Sequence, residues 1–214
     1  DDREKPVVML FYGSSGIGKT ETANFISTCL TEKIFRKQFS MFQNNQFSTY
    51  LFGGAHYEKS FAKDLLDRES NVILLDEFDK AHPTFHSAFY QLFDEGIFED
   101  QNYIVQLKKS VIICTSNYKD EDQIRKELGD AIFNRFDVVI GFNELSEEAK
   151  LKIAEMSIFK VQMKYKEEKG IEMSEQYLNN LKSVAVKCRN AREIHHLVSD
   201  TFALYYIKLI CDGG

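Results

Sequence analysis

An α/β fold with a doubly wound parallel sheet, followed by a small all-helical domain, is what this sequence predicts. Three observations predict it. Continuous apolar runs, as strands buried on both faces require, recur between helical stretches. The first of them leads straight into a glycine-rich loop and then a helix. Beyond Phe142 the strand patterns stop and only helical periodicity remains.

Taken in order, Val7-Val8-Met9-Leu10-Phe11-Tyr12 reads as a buried strand, and Glu21 to Leu30 reads as the helix after the glycine-rich loop. Phe39 to Phe42 is a weaker strand candidate, and Ser60 to Asp67 a short helix. Asn71-Val72-Ile73-Leu74-Leu75 is a second strongly apolar strand, ending at Asp76. Pro83 suits the start of a helix, with Phe85, Ala88, Phe89, Leu92 and Phe93 following at helical spacing. Gly96 to Leu107 reads as a hairpin or a meandering excursion. Val111-Ile112-Ile113-Cys114-Thr115 and Val138-Val139-Ile140 supply the third and fourth strands. A long helix to about Glu168 then begins after Ser146, a fair N-cap, and Gly170 ends it. Two more helices are expected, over 174–187 and 191–210. The division is a large domain over 1–143 and a helical domain over 144–214.

Bulk properties narrow the function classes. The 214 residues carry a net charge of −6 with a pI near 5.5. A duplex-binding face is normally basic, because it must displace counterions from phosphates, so nucleic acid is disfavoured as a partner. Cys29, Cys114, Cys188 and Cys211 are far apart and form no C-x-x-C pair. That argues against a zinc site or a disulfide framework and suits a reducing, cytoplasmic setting. No stretch approaches the ~18 apolar residues of a membrane span, and no signal peptide precedes the first motif. The short ends outside the first and last elements suggest a domain cut from a longer protein.

The chemistry begins at Gly13-Ser14-Ser15-Gly16-Ile17-Gly18-Lys19-Thr20. It fits G-x-x-x-x-G-K-[ST] between an expected strand and an expected helix, the context the phosphate-binding P-loop needs. Glycines let backbone N–H groups wrap phosphates, and the helix N-terminus adds positive potential. Lys19 is expected to reach the β- and γ-phosphates, Thr20 to ligate Mg²⁺, and Glu21 to neighbour the bound ATP. At the end of the second strand, Leu74-Leu75-Asp76-Glu77 places two carboxylates where ligands of open α/β sheets gather. Asp76 suits the Mg²⁺ shell. Glu77 can orient and deprotonate an attacking water, which implies hydrolysis as well as binding. Other candidates are weaker. His82 and His86 lack the glutamate of H-E-x-x-H, and His195-His196 reads as part of an ordinary helix. Asp94, Glu95, Glu99 and Asp100 read as a solvated acidic face.

The run from Asp76-Glu77-Phe78-Asp79-Lys80-Ala81-His82-Pro83 resembles the Walker B segment and following helix of the Clp family of AAA+ ATPases. The likeness continues through Gln91-Leu92-Phe93-Asp94-Glu95-Gly96, Val111 to Asn117, Ala131-Ile132-Phe133-Asn134-Arg135-Phe136-Asp137 and Asn190-Ala191-Arg192-Glu193. The resemblance implies a P-loop ATPase of the AAA+ type with a helical lid, ATP and Mg²⁺ as cofactors, and a protein partner remodelled by a ring, hexameric in the family. It also implies three roles: Asn117 as sensor 1, Arg135 as the arginine finger acting on a neighbouring subunit's nucleotide, and Arg192 as sensor 2. Asn190 stands where the family has Gly. Between Tyr50 and Phe61 the chain departs further. Leu51 to Ser60 is shorter than the family's pore loop and lacks its aromatic–aliphatic–glycine core, leaving Tyr57 as the aromatic that could grip a polypeptide. Two other functions therefore stand beside remodelling: a nucleotide-gated switch or scaffold without threading, and a nucleic-acid remodelling ATPase, which the acidic charge disfavours.

Overall fold

A computed structural model describes residues 5–41, 45–81 and 83–212. Its elements in chain order are β1 (Val7–Tyr12), α1 (Lys19–Cys29), β2 (Ile34–Gln38), α2 (Asn45–Phe52), α3 (Phe61–Leu66), β3 (Val72–Asp76), α4 (Tyr90–Glu95), β4 (Ile97–Glu99) and β5 (Ile104–Gln106). They continue with β6 (Val111–Ser116), α5 (Glu121–Leu128), α6 (Asp130–Phe133), β7 (Val138–Gly141), α7 (Glu147–Lys169), α8 (Glu175–Ala185) and α9 (Ala191–Asp212). Short 3-10 turns cover Phe39–Met41, Phe78–Lys80 and Pro83–Phe89.

Five strands form one parallel sheet in the order β2-β3-β6-β1-β7, while β4 and β5 pair as an antiparallel hairpin. The continuous apolar runs are explained by burial on both faces. In β3, Ile73 and Leu75 join the larger core and Val72 and Leu74 the smaller one. In β6, Ile112 and Cys114 face the first core and Ile113 the second. On the second face Ala23 and Ile26 of α1 pack against the sheet. The first face is rich in phenylalanine, which accounts for the aromatic composition: Phe39, Phe47, Phe61, Phe78, Phe89, Phe93 and Phe98 are all buried there.

Contacts divide the chain into two compact units, one of residues 1–14 and 18–142, the other of residues 15–17 and 143–214. The second is helical. Ser146 caps α7 by accepting from the Ala149 N–H, and Gly170 closes that helix in a left-handed conformation. Its own core is Ala154, Ile158, Met173, Leu181, Ala185, Ile194, Val198 and Phe202.

Two expectations need correction. The weaker strand candidate placed at Phe39–Phe42 is β2 at Ile34–Gln38, and Phe39–Met41 is a 3-10 turn (Phe42 falls outside the described residues). Ile34-Phe35-Arg36-Lys37-Gln38 is too polar to read as a strand because β2 is the sheet edge, where only part of each face is covered. Pro83 opens a 3-10 turn, with the α-helix starting only at Tyr90. The helices α2, α5 and α6, of eight residues or fewer, are not anticipated from the sequence.

Candidate functional site

Because β6 pairs with both β1 and β3, the carboxyl ends of these three strands stand side by side. The residues that bear chemistry follow those ends. β1 runs into the glycine-rich loop, and Gly18 enters α1 with a left-handed φ of 105°. Any other residue would be strained there. The loop thereby turns directly into a helix whose first N–H groups lack intrahelical acceptors. Ser15–Ile17 group with the helical unit, where the Ala191 N–H donates to the Gly16 carbonyl (3.0 Å). Glu21 is exposed in the first turn of α1.

Lys19 is only 8% exposed. Its ammonium donates to the carbonyls of Gly13 (2.6 Å) and Ser14 (2.7 Å) and to Oδ1 of Asn117 (3.3 Å), just past β6. Burial holds its pKa below the ordinary 10.5, while the carboxylates of Asp79, Asp76 and Glu77 pull in the other direction.

Asp76 is 5% exposed, and its two oxygens have different neighbours. Oδ1 accepts from the Thr115 hydroxyl and lies 3.5 Å from that of Thr20. Oδ2 accepts from Nε of Arg36 (3.0 Å) and also from a terminal guanidinium nitrogen. Glu77 follows with φ 57°, a left-handed backbone that takes it out of the strand direction. Its N–H donates to the Thr115 oxygen (3.0 Å), so one threonine ties both acidic residues to β6. Gln38 donates its side-chain N–H to Glu77 Oε2 (3.1 Å). Hydrogen bonds from Ser40 and Gln38 hold the Glu77 carboxyl below the usual range, with burial opposing and the charges of Lys80 and Arg36 assisting.

Arg135, after α6, donates through Nε to Asp94 (2.8 Å) and through a terminal nitrogen to the Ala131 carbonyl. Its guanidinium rests over the Tyr90 ring at 4.2 Å. Asp94 is thus an ion-pair partner and not simply part of a solvated face; Asp100 likewise accepts from the N–H groups of Asn102 and Tyr103. Arg192 is exposed, the second residue of α9. Asn190 has a local explanation: its Oδ1 accepts from the Glu193 N–H (2.9 Å), capping that helix.

Sequence reasoning missed Arg36, Gln38, Ser40 and Thr115. Thr115 reads in the sequence only as part of a strand, and its contacts depend on β6 being the neighbour of β3. Arg36 and Gln38 belong to a strand too polar to be read as one, and Ser40 to the turn that follows it. His86 is buried against Phe78, and His82 lies outside the described residues. Among the described residues no cluster of His, Cys, Asp or Glu could hold a metal by itself, and no helix is long and apolar enough to cross a membrane.

The donor set suits a nucleoside triphosphate with Mg²⁺. It combines a glycine-rich turn at a helix N-terminus, a buried ammonium, and adjacent hydroxyl and carboxylate oxygens of the hard type that Mg²⁺ prefers.

Known proteins share this architecture. The family model described as AAA domain (Cdc48 subfamily) matches residues 4–182. A mitochondrial disaggregase of Bos taurus is 33% identical over 164 residues, covering 69% of this chain and 24% of its own length. A chaperone protein ClpB of Malacoplasma penetrans is 31% identical over 179 residues, covering 74% of this chain and 25% of its own. The chain therefore spans about a quarter of the length of these curated relatives. A closed-state cryo-electron microscopy reconstruction of Hsp104 with ATPγS and FITC casein matches with a TM-score of 0.79 at 20% identity, over 98% of this chain and 42% of that one. That likeness shows the fold, and the family model, spanning most of the chain, shows the membership: the chain belongs to the AAA domain family, Cdc48 subfamily, as an AAA+ module of the Clp type.

Proposed function

We propose that this chain binds ATP with Mg²⁺, hydrolyses it, and couples nucleotide state to the remodelling of a protein partner within a ring, hexameric as the resemblance implies. One observation carries the reading. Lys19, Thr20, Asp76, Glu77 and Asn117, drawn from three strand ends, stand in one cluster of hydrogen bonds and close approaches. Gly13 to Thr20, with Glu21 beside them, would hold the phosphates, and Thr20 and Asp76 the metal. Bound Mg²⁺ supplies charge neutralisation on the phosphates as the terminal group departs. Glu77, kept ionised by Ser40 and Gln38, would orient a water and accept its proton, with Asn117 fixing that water's place. Arg135 would act in trans and Arg192 as the lid's sensor, with residues 1–143 as the ATPase domain and 144–214 as the lid. The relatives' names, a disaggregase and a ClpB chaperone, support a protein as the partner and leave the compartment open between cytoplasm and mitochondrion. ATPase activity measured against chain concentration, with and without unfolded protein, tests this reading. We expect a steep rise on self-association and stimulation by the unfolded protein; a concentration-independent rate that unfolded protein leaves unchanged would overturn the ring and the remodelling.

A second reading, a nucleotide-gated switch that threads nothing, draws on the 53–59 loop. The Phe52 carbonyl accepts from the Gln101 N–H (3.1 Å) and the Gly54 carbonyl from the Asn102 side chain (3.0 Å). His56 stacks on Tyr103 of the β4–β5 hairpin at 5.6 Å. The short loop is thus fastened to the hairpin, and Tyr57, 91% exposed, is its one fully presented aromatic. ATP-dependent binding or release of a partner that stays folded, unchanged by Tyr57→Ala, would favour the switch; loss of remodelling in that variant would count against it.

A further inference from the structure

We propose that Arg36 is a positioning residue for the Mg²⁺ site: by gripping Oδ2 of Asp76 it sets the carboxylate so that Oδ1 faces the Thr20 hydroxyl. The inference rests on the reading of Asp76 as the metal-side carboxylate. The parallel register of β2 and β3 pairs Gln38 with Asp76 and Arg36 with Leu74. Arg36 therefore starts two residues short of the carboxylate and reaches forward along the strand, where Nε (3.0 Å) and a terminal nitrogen both meet the same oxygen.

The two oxygens of a carboxylate are equivalent, but the plane they share rotates in a broad well, so packing alone does not select the direction of that plane. The Thr115 hydroxyl cannot make that selection by itself, because a hydroxyl turns to suit its acceptor. A guanidinium can, since its planar N–H groups are fixed relative to one another. With Oδ2 taken on the β2 side, Oδ1 is left at 3.5 Å from Thr20, the pair of oxygens expected at the metal.

A competing effect has the opposite sign. The Arg36 cation repels a dication, so charge alone would make Mg²⁺ assist nucleotide binding more once Arg36 is removed. The side chain is 46% exposed, which screens that repulsion, whereas the hydrogen bonds that aim the buried carboxylate are not screened in this way. Positioning wins on that balance, and Arg36→Lys separates the two because it keeps the charge and loses the fork.

The experiment titrates the chain with a fluorescent ATP analogue, with and without Mg²⁺, and takes the ratio of the two affinities. Removing a group that orients a metal-binding side chain costs about 10-fold or more in metal affinity. Both Arg36→Lys and Arg36→Ala should cut the Mg²⁺ enhancement by about that factor. A thermal melt without ligand checks that each variant is folded, and Arg36→Lys carries the test if Arg36→Ala is not. Undiminished enhancement in Arg36→Lys, or a larger one in Arg36→Ala, would overturn the proposal. Asp76→Ala runs alongside. If it too keeps the enhancement, the reading of Asp76 is what fails; if it loses the enhancement while Arg36→Lys keeps it, only the role of Arg36 fails.

Discussion

As the proposed base for the attacking water, Glu77 would have to stay ionised and to stand clear of the strand that delivers it. The left-handed backbone meets the second, and the hydrogen bonds of Ser40 and Gln38 meet the first. Replacing the carboxylate by an amide removes the charge and the proton acceptor while keeping the size of the side chain. Glu77→Gln should bind ATP normally and lose on the order of 10²–10⁴-fold in turnover; single-turnover hydrolysis checks this, and undiminished hydrolysis would remove Glu77 as the water's base. Arg135 raises a different question, since its own chain already holds it between Asp94 and Tyr90. If it serves a neighbouring subunit, Arg135→Ala should abolish turnover, by 10³-fold or roughly so, and spare nucleotide binding. Full activity in that variant would reduce the arginine to an intrachain ion pair.

The packing of elements is dominated by one aromatic cluster. Phe89 lies in a 3-10 turn and meets Phe39, Phe61, Phe78, Phe93 and Phe98 with ring centroids 5.3–6.1 Å apart. Its neighbours come from turns, α3, α4 and β4, so no single partner could close around a smaller side chain. Phe89→Ala should cost about 3–5 kcal/mol, near the upper end for core truncations; urea unfolding measures it, and a loss below ~1 kcal/mol would mean that the cluster refills the space. Gly96 joins α4 to the hairpin with φ 75°, and a Cβ there would sit 2.4 Å from the Leu107 carbonyl oxygen. Backbone cannot retreat as a side-chain tip can, so Gly96→Ala should destabilise by more than about 1 kcal/mol. The same turn returns the hairpin to the position from which it fastens the 53–59 loop, so that loop's mobility, read by hydrogen exchange, should rise in the variant.

Across the whole molecule the buried titratable groups set an alkaline limit. Burial pushes the Cys114 thiol well above the ordinary 9.0, and the Tyr50 and Tyr118 hydroxyls above the ordinary 10.0. The folded state keeps these three protons where the unfolded chain releases them, so stability falls as pH rises through that range. Lys19 acts oppositely, since its lowered pKa makes the unfolded state the one that holds more protons up to 10.5. Cys188, raised from the ordinary 9.0 by burial, joins the first three, so four groups against Lys19 decide the sign. Urea midpoints should fall from about pH 9 upward, and Cys114→Ala should flatten the start of that fall; an unchanged midpoint up to about pH 11 would contradict it.

Local chemistry made part of this protein legible in its sequence. Gly13 to Thr20 must read as a phosphate loop wherever a strand precedes it and a helix follows, and an apolar run ending in Asp76-Glu77 must place acids at a strand end. The helical periodicity after Ser146 is of the same kind, because a helix face repeats within a few residues. What surrounds those acids was not legible. Thr115 serves Asp76 and Glu77 only because β6 lies next to β3, and Arg36, Gln38 and Ser40 reach them only because β2 takes the sheet edge. Strand order is a choice among distant segments whose apolar patterns are nearly interchangeable, so it is decided when the sheet packs. The sequence by itself determined which groups are the candidates for that chemistry; the tertiary structure alone decided which neighbours contact them.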